Sequence, residues 1–276
     1  MMGMKWQTIL IGKWTWYRPL VSIAFIYLLL AMYAVFFAER MIFLPPRASY
    51  GEGEPGLLRL PTGDGGTIAA VHLPAAAGMP TLLYSHGNAE DIGHSAELHD
   101  VWHAAGVGVF AYDYPGYGLS TGRPTERSAN VAARAAWDHL IGLGVDAGSI
   151  VIVGRSVGSG PATRLAADVD AAGVVLISPL TSAYGVMVPS WLFPRDRFRN
   201  LRLMPGIETP LLVIHGAEDA VIPPSHGKRL YAASGAGRKS LHIAPAAGHN
   251  DLFFVHPGLP GMVSAFAIEV AGGAVR

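Results

Sequence analysis

Three side chains that can do nucleophilic chemistry follow one another along this 276-residue chain in the order serine, acid, histidine. Ser156 stands at the centre of a Gly-x-Ser-x-Gly pattern, directly after the β-branched run 150–153. Asp219 and His249 each follow a short apolar segment that leads into a glycine-containing loop. A serine activated by a histidine, which an acid orients, forms acyl-enzymes with esters, thioesters and amides. The residue types therefore predict covalent acyl transfer.

The elements around Ser156 must present its hydroxyl group to a substrate. A strand followed by Gly-x-Ser-x-Gly predicts a sharp turn into a helix, and we expect Gly154 and Gly158 to permit a turn that residues with a Cβ would resist. The helix predicted over 157–168 brings unpaired amides and a positive dipole end beside the serine. Because all three candidates follow strand ends, a parallel sheet would bring them to one edge.

Stabilisation of a developing oxyanion needs hydrogen-bond donors close to the serine. The predicted strand 81–85 runs into a His-Gly dipeptide, and the turn after it lies where such a sheet can supply one donor. We predict that the backbone N–H groups of Asn88 and Val157 form the oxyanion hole. One preorganised donor of this kind is worth about 3–4 kcal/mol of barrier.

Several stretches of sequence resemble a known family. They are YSHGNAED, VFAYDYPGYGLSTGRPTE, IVIVGRSVGSGPA, LLVIHGAEDAVIPPSHGKRLY and APAAGHND. Together they resemble the membrane-anchored, abhydrolase-domain-containing serine hydrolases of the α/β-hydrolase superfamily. The resemblance implies that Ser156 is the nucleophile, His249 the base and Asp219 the orienting acid, in the chain order of that superfamily. One departure is Phe198-Arg199-Asn200, where relatives often carry Phe-Asp-Asn.

The distribution of apolar segments predicts the rest of the architecture. Strand-like and helix-like segments alternate from residue 67 to residue 276, which predicts an α/β-hydrolase domain with a mostly parallel central sheet and helices on both faces. A proline- and glycine-rich stretch, 39–66, is predicted to be a connector that leads into the first strands. The predicted helices are 89–105, 125–143 and 157–168, and the predicted strands include 67–73, 81–85, 107–112 and 173–177.

An uncharged segment, 19–38, precedes the connector. At 1.5 Å per residue it matches the hydrocarbon core of a bilayer, about 30 Å thick. A cleaved signal peptide has a shorter apolar core and a small-residue cleavage site, and a buried core helix is the other alternative. The segment predicts a transmembrane anchor behind a short tail, 1–18, whose aromatic residues are candidates for an interfacial belt: Trp6, Trp14, Trp16 and Tyr17.

Charges on the two sides of this segment predict its orientation. Lys5, Lys13 and Arg18 precede it without an acidic residue, whereas Glu39 and Arg40 nearly cancel just after it. The positive-inside rule then keeps the N-terminus in the cytoplasm and places the hydrolase domain on the non-cytoplasmic side.

A further stretch of about 180–209 separates two predicted strands and is too long for a tight loop. Its apolar side chains either pack on the domain core or form a small lid over Ser156. In the lid interpretation, Trp191 and Phe193 contact the substrate and favour a hydrophobic acyl group.

Composition excludes several other functions. A formal net charge of zero and the lack of a basic run argue against nucleic acid as a partner, and the absence of cysteine excludes thiol catalysis. The His99-x-x-x-His103 pair has Asp where a zincin needs Glu, and the glycines of 116–122 lack dinucleotide-binding register. We therefore expect no metal or cofactor. An amidase or peptidase with the same triad, and a catalytically silent binding protein, remain alternatives.

Overall fold

The computed structural model describes residues 16–272. Its α-helices are α1 (Arg18–Ile42), α2 (Ala96–Ala104), α3 (Glu126–Gly142), α4 (Ser159–Ala166), α5 (Asn200–Leu203), α6 (Ser225–Ala233), α7 (Leu252–Val255) and α8 (Leu259–Gly272). Its strands are β1 (Leu57–Pro61), β2 (Thr67–Leu73), β3 (Thr81–Ser85), β4 (Gly108–Tyr112), β5 (Ile150–Arg155), β6 (Gly173–Ile177), β7 (Leu211–Gly216) and β8 (Lys239–Ala244). Trp6, Trp14, Lys5 and Lys13 lie outside the described residues.

The strands form one eight-stranded sheet in the order β1-β2-β4-β3-β5-β6-β7-β8. The first two pairings, β1 with β2 and β2 with β4, are antiparallel, and the pairings from β4 through β8 are parallel. The carboxyl ends of the parallel strands consequently share one edge. This is the mostly parallel sheet that the sequence predicted.

Burial on both faces explains why the central strands are continuously apolar. Every residue of β3, β4 and β6 is buried, and so are the first five residues of β5. One layer of helices, which includes α3 and α4, packs with Phe110 and Ile152 on one face, and α2 and α8 pack with Val109 and Val153 on the other. Such two-sided covering removes apolar area from water on each face of the sheet.

Element boundaries differ from the predictions where side chains bond to the backbone. The helix predicted from residue 89 begins only at Ala96, because the carboxylate of Asp91 accepts the backbone N–H groups of Ser49 and His94 and holds the preceding turn. The helix after Ser156 begins as a tight 3₁₀ turn, Ser156–Gly158, before α4. A strand, β1, lies inside the stretch predicted as connector and pairs with β2.

Helix α1 is longer than the predicted segment and is mostly exposed along its length. Among the described residues it is the one helix long and apolar enough to cross a membrane, with a mean hydropathy of 2.5. Arg18 and Pro19 begin the helix, and Phe43 follows its last turn with an N–H bonded to the Glu39 carbonyl oxygen. The helix is therefore a candidate membrane span.

Candidate active site

Three parallel strands bring the predicted catalytic side chains together. Ser156 follows β5, Asp219 follows β7 and His249 follows β8, all at the shared edge. Ser156 Oγ lies 2.9 Å from His249 Nε2, and His249 Nδ1 lies 2.7 Å from Asp219 Oδ2. The three residues thus form a continuous hydrogen-bonded chain, although they are up to 93 positions apart in sequence.

The turn at Ser156 is strained at the serine itself. Its φ of 52° lies in the left-handed region that side chains with a Cβ rarely adopt. Gly154 and Gly158 are needed for a different reason from the one that the sequence suggested. A Cβ on Gly158 would collide with the carbonyl oxygens of Ser85 and His86, and one on Gly154 would collide with α4. The glycines allow close approach of backbones, while Ser156 takes the strained conformation.

The carboxylate of Asp219 is fully enclosed by hydrogen-bond donors. Oδ1 accepts the N–H groups of Val221 (3.0 Å) and Ile222 (2.8 Å), and His215 Nε2 lies 3.3 Å from Oδ2 beside His249. Burial alone would raise the pKa of Asp219. Hydrogen bonds from His215, His249 and the Ile222 amide outweigh that effect and hold the pKa well below its usual range. The carboxylate therefore stays ionised and can stabilise a positive charge on His249.

Other acids near the site do not contact His249. Glu218 is exposed, next to Asp219 in sequence. Asp251 accepts the backbone N–H of Gly248 at 2.7 Å and makes no side-chain cap on α7. Asp219 is therefore the carboxylate placed to orient the histidine.

Both predicted oxyanion donors border the cavity above Ser156. Asn88 lies in the turn after β3, and Val157 is the residue after the serine. The Asn88 side chain fixes this turn to the end of α1: Nδ2 donates to the Ile42 carbonyl oxygen (2.7 Å), and Oδ1 accepts the Leu44 N–H (2.9 Å). The turn that carries one candidate donor is thus tied to the apolar helix.

Sequence reasoning missed an ion pair beside the serine. Arg155 Nη1 lies 2.8 Å from Glu90 Oε2, and both side chains are mostly buried. The other oxygen of Glu90 accepts the backbone N–H of Gly87. The pair therefore braces the turn that carries Asn88 against the turn that carries Ser156. Its partners stand 65 positions apart, and no local pattern links them.

An apolar cavity of about 580 Å³ opens above Ser156. Phe193 lines it, as the lid interpretation expected, but Trp191 lies outside its lining and is 81% exposed. The ring of Phe193 stacks on Tyr27 of α1 with centroids 5.9 Å apart, which turns this part of the insertion toward the helix. Most of the remaining apolar lining comes from α1, the insertion and the loop after β7: Leu30, Tyr33, Ala34, Ala38, Met41, Ile42, Leu180, Ala183, Tyr184, Val186, Met187, Val188, Val221 and Ile222.

The two histidines of the zinc-like pattern are separated by burial. His99 is buried, its ring contacts Tyr84 and Trp102, and burial lowers its pKa to about 4. His103 is exposed near the end of α2. Among the described residues, the structure has no group of three or more metal-ligating side chains that could hold a metal ion.

Comparison with known sequences places this chain in a family. Residues 79–203 and 197–253 match the family model described as serine aminopeptidase, S33. The human alpha/beta hydrolase domain-containing protein 17B is 37% identical over 196 residues, which cover 69% of this chain and 68% of the human protein. The Caenorhabditis elegans alpha/beta hydrolase domain-containing protein aho-3 is 39% identical over 62% of this chain, but the match spans about half (53%) of its own length.

Comparison with solved structures gives the fold. An esterase of Pyrococcus furiosus superposes with a TM-score of 0.67 at 20% identity and covers 81% of this chain and 98% of its own. A monoacylglycerol lipase of Paleococcus ferrophilus has a TM-score of 0.58 at 19% identity, covering 74% of this chain and 99% of its own. The resemblance found in the sequence motifs is confirmed. The chain belongs to the α/β-hydrolase superfamily, within the family described as serine aminopeptidase, S33.

Proposed function

We propose that this protein is a membrane-anchored serine hydrolase that cleaves carboxylic ester or thioester bonds of hydrophobic acyl substrates. The observation that carries the proposal is the hydrogen-bonded chain from Ser156 through His249 to the ionised Asp219, at the floor of an apolar cavity. Membership of a hydrolase superfamily, with esterase and lipase structures of the same fold, supports the same reaction class.

The geometry supports a two-step mechanism. Ser156 Oγ attacks the carbonyl carbon while His249 Nε2 takes its proton, and Asp219 stabilises the imidazolium that results. The backbone N–H groups of Asn88 and Val157 stabilise the oxyanion. His249 then protonates the leaving alcohol or thiol, and an acyl group remains on Ser156. Water, deprotonated by His249, releases the acid and restores the serine.

Peptide-bond hydrolysis is the second candidate, because the matching family model is described as a serine aminopeptidase. An aminopeptidase must hold the ammonium group of its substrate, usually with an acid near the nucleophile. Glu90 is the carboxylate that lines the cavity; Arg155 already balances its charge, and its other oxygen accepts the Gly87 N–H. This internal pairing favours an uncharged acyl substrate over a charged peptide terminus.

A fluorophosphonate probe tests for the activated serine. We expect the probe to label the full-length protein in detergent, and Ser156→Ala to abolish labelling. p-Nitrophenyl esters should be turned over faster than aminoacyl p-nitroanilides. Labelling that persists in Ser156→Ala would contradict the assignment, a protein that is never labelled would support the silent binding alternative, and faster turnover of the anilides would favour the peptidase.

Membrane anchoring is part of the proposal and rests on α1. Its length and hydropathy fit a span, and Lys5, Lys13 and Arg18 on its N-terminal side favour a non-cytoplasmic hydrolase domain. A reporter that is active only outside the cytoplasm should be active when fused after Arg276. A cytoplasmic fluorescent signal from the same fusion would reverse the orientation, and extraction by carbonate without detergent would contradict the anchor.

A further inference from the structure

We propose that α1 is more than an anchor and forms one wall of the substrate cavity. The ligand that lies against this wall is the acyl chain of a lipid-embedded substrate, which enters the cavity laterally from the leaflet around the helix. The inference deepens the proposed function and rests on it. It assigns a substrate-binding role to a segment whose composition alone indicates only a membrane span.

One face of the helix lines the cavity. The contributing positions Leu30, Ala34, Ala38 and Met41 recur at intervals of three or four residues, which places them on one side of an α-helix. Ala38 is 3% exposed, whereas Phe36 on another face is 73% exposed. Small side chains at 34 and 38 leave room beside the helix for a narrow apolar ligand.

Specific bonds hold this face against the domain. Tyr184 Oη donates to the Ala34 carbonyl oxygen (2.7 Å), and Tyr27 Oη donates to the Leu192 carbonyl oxygen (2.9 Å). The Asn88 side chain bonds to the carbonyl oxygen of Ile42. These contacts run from Tyr27 to Ile42, a rise of about 22 Å along the helix. The helix is therefore docked along more than half its length, unlike a flexible tether.

The same contacts fix the depth of the cavity relative to a bilayer. Glu39 and Arg40 are the first charged residues after the apolar segment, so they belong at the headgroup level. Ala34 then lies about 7 Å and Leu30 about 14 Å deeper along the helix, within one leaflet about 15 Å thick. The cavity runs from Ser156 and Asn88, near the end of α1, to Leu30. The lining residues on α1 thus extend from Ile42 to Leu30, a rise of about 18 Å along the helix that would lie across the leaflet.

The exposed surface of the insertion fits this depth. Met187 is 77% exposed and Trp191 is 81% exposed, on the segment that packs against Tyr27 through Phe193. Exposure of these apolar side chains to water is unfavourable, whereas in the leaflet they would contact lipid. A substrate chain could therefore pass from the leaflet into the cavity without crossing water, with its ester at the interface beside Ser156.

The first test narrows the cavity from the helix side. Ala34→Phe should lower the ratio of kcat/KM for p-nitrophenyl palmitate to kcat/KM for p-nitrophenyl acetate at least tenfold relative to the parent protein. Ala24→Phe is the matched control, because Ala24 is exposed and outside the cavity lining. It should leave both rates unchanged. Equal profiles for the two variants and the parent protein would overturn the proposal.

The second test needs no substitution, so it decides the matter even if Ala34→Phe fails to fold. A hexadecyl fluorophosphonate with a diazirine near the middle of its chain is attached to Ser156 of the full-length protein in lipid nanodiscs. Irradiation should crosslink the chain to residues 30–41, as mapped by mass spectrometry. Crosslinks confined to other residues would refute the role of α1, whereas failure to label Ser156 would refute the proposed function instead.

A third measurement identifies the source of the chain. A fluorogenic palmitoyl ester in the same nanodisc as the protein should be cleaved at least tenfold faster than the same ester in separate, protein-free discs. Equal rates would show that the substrate reaches the cavity through water and would overturn lateral access.

Discussion

Replacing Asp219 with asparagine probes the hydrogen-bonded chain at its least exposed member. In the Asp219→Asn variant the side-chain oxygen would stay on the N–H groups of Val221 and Ile222, which now bond to Oδ1 at 3.0 and 2.8 Å. The new amide nitrogen, a donor, would then face His249 in place of Oδ2. Nδ1 of His249 must then accept this hydrogen bond, so the ring proton lies on Nε2 and points at Ser156. In that tautomer His249 cannot take the serine proton.

The expected magnitudes separate catalysis from folding. Loss of one charge-assisted hydrogen bond costs about 1.5–3 kcal/mol of stability, while the two backbone bonds to the side-chain oxygen persist. The variant should therefore fold. Loss of the correct tautomer in a Ser-His-Asp enzyme lowers kcat by about 10⁴, or about 5.4 kcal/mol of barrier. The effect on kcat should therefore exceed the effect on stability when both are expressed as free energies.

The assay is hydrolysis of p-nitrophenyl butyrate by the full-length protein in detergent, with a thermal melt of each variant. Glu218→Gln is the matched control, because Glu218 is exposed and adjacent in sequence to Asp219. It should stay within twofold of the parent kcat. Retention of more than a tenth of kcat in Asp219→Asn, or a large loss in Glu218→Gln, would refute the assignment of the acid.

Three further predictions rest on particular contacts. Gly158→Ala should destabilise the protein by about 1–3 kcal/mol and abolish hydrolysis, because its Cβ meets two backbone carbonyl oxygens, whereas Gly261→Ala, in open space on α8, should be neutral or stabilising in the same melts. Phe193→Ala should flatten the dependence of kcat/KM on acyl length and Trp191→Ala should not, because Phe193 lines the cavity and Trp191 does not. Folding lowers the pKa of Asp219, so below about pH 4 its carboxyl binds a proton in the unfolded state but not in the folded state. The free energy of unfolding should therefore decrease by up to about 1.4 kcal/mol for each pH unit that the solution is acidified. Asp219→Asn should flatten this acid limb in denaturant titrations, and an unchanged limb would contradict the lowered pKa.

Much of the fold and of the candidate site was predictable because it rests on local patterns. The β-branched run before Ser156 and the apolar runs before Asp219 and His249 indicated buried parallel strands, and parallel strands end at one edge. Convergence of the three residues followed from that rule without any knowledge of distances. The glycines of the turn were also correctly singled out, although packing rather than backbone conformation explains them.

Contacts between distant segments were not predictable. The pairing of Arg155 with Glu90 depends on how two turns meet at the edge of the sheet. The local sequence of neither turn predicts that the other lies next to it. The same holds for Trp191 and Phe193, which are two residues apart and equally apolar. Only the path of the insertion decides that Phe193 faces the cavity and α1 while Trp191 faces outward.

Helix α1 shows most clearly which features the sequence determines and which the tertiary structure decides. Its sequence determined a helix long and apolar enough for a bilayer, and the charges around it favoured one orientation. Because the segment is apolar on every side, no periodicity marks the face that meets the domain. The tertiary structure decided that face through the hydroxyl groups of Tyr184 and Tyr27 and the side chain of Asn88, which bond to carbonyl oxygens of distant segments. The composition of a uniformly apolar helix indicates that it prefers an apolar environment. Which of its faces packs against the domain is decided by the polar groups and the shape of the surrounding structure.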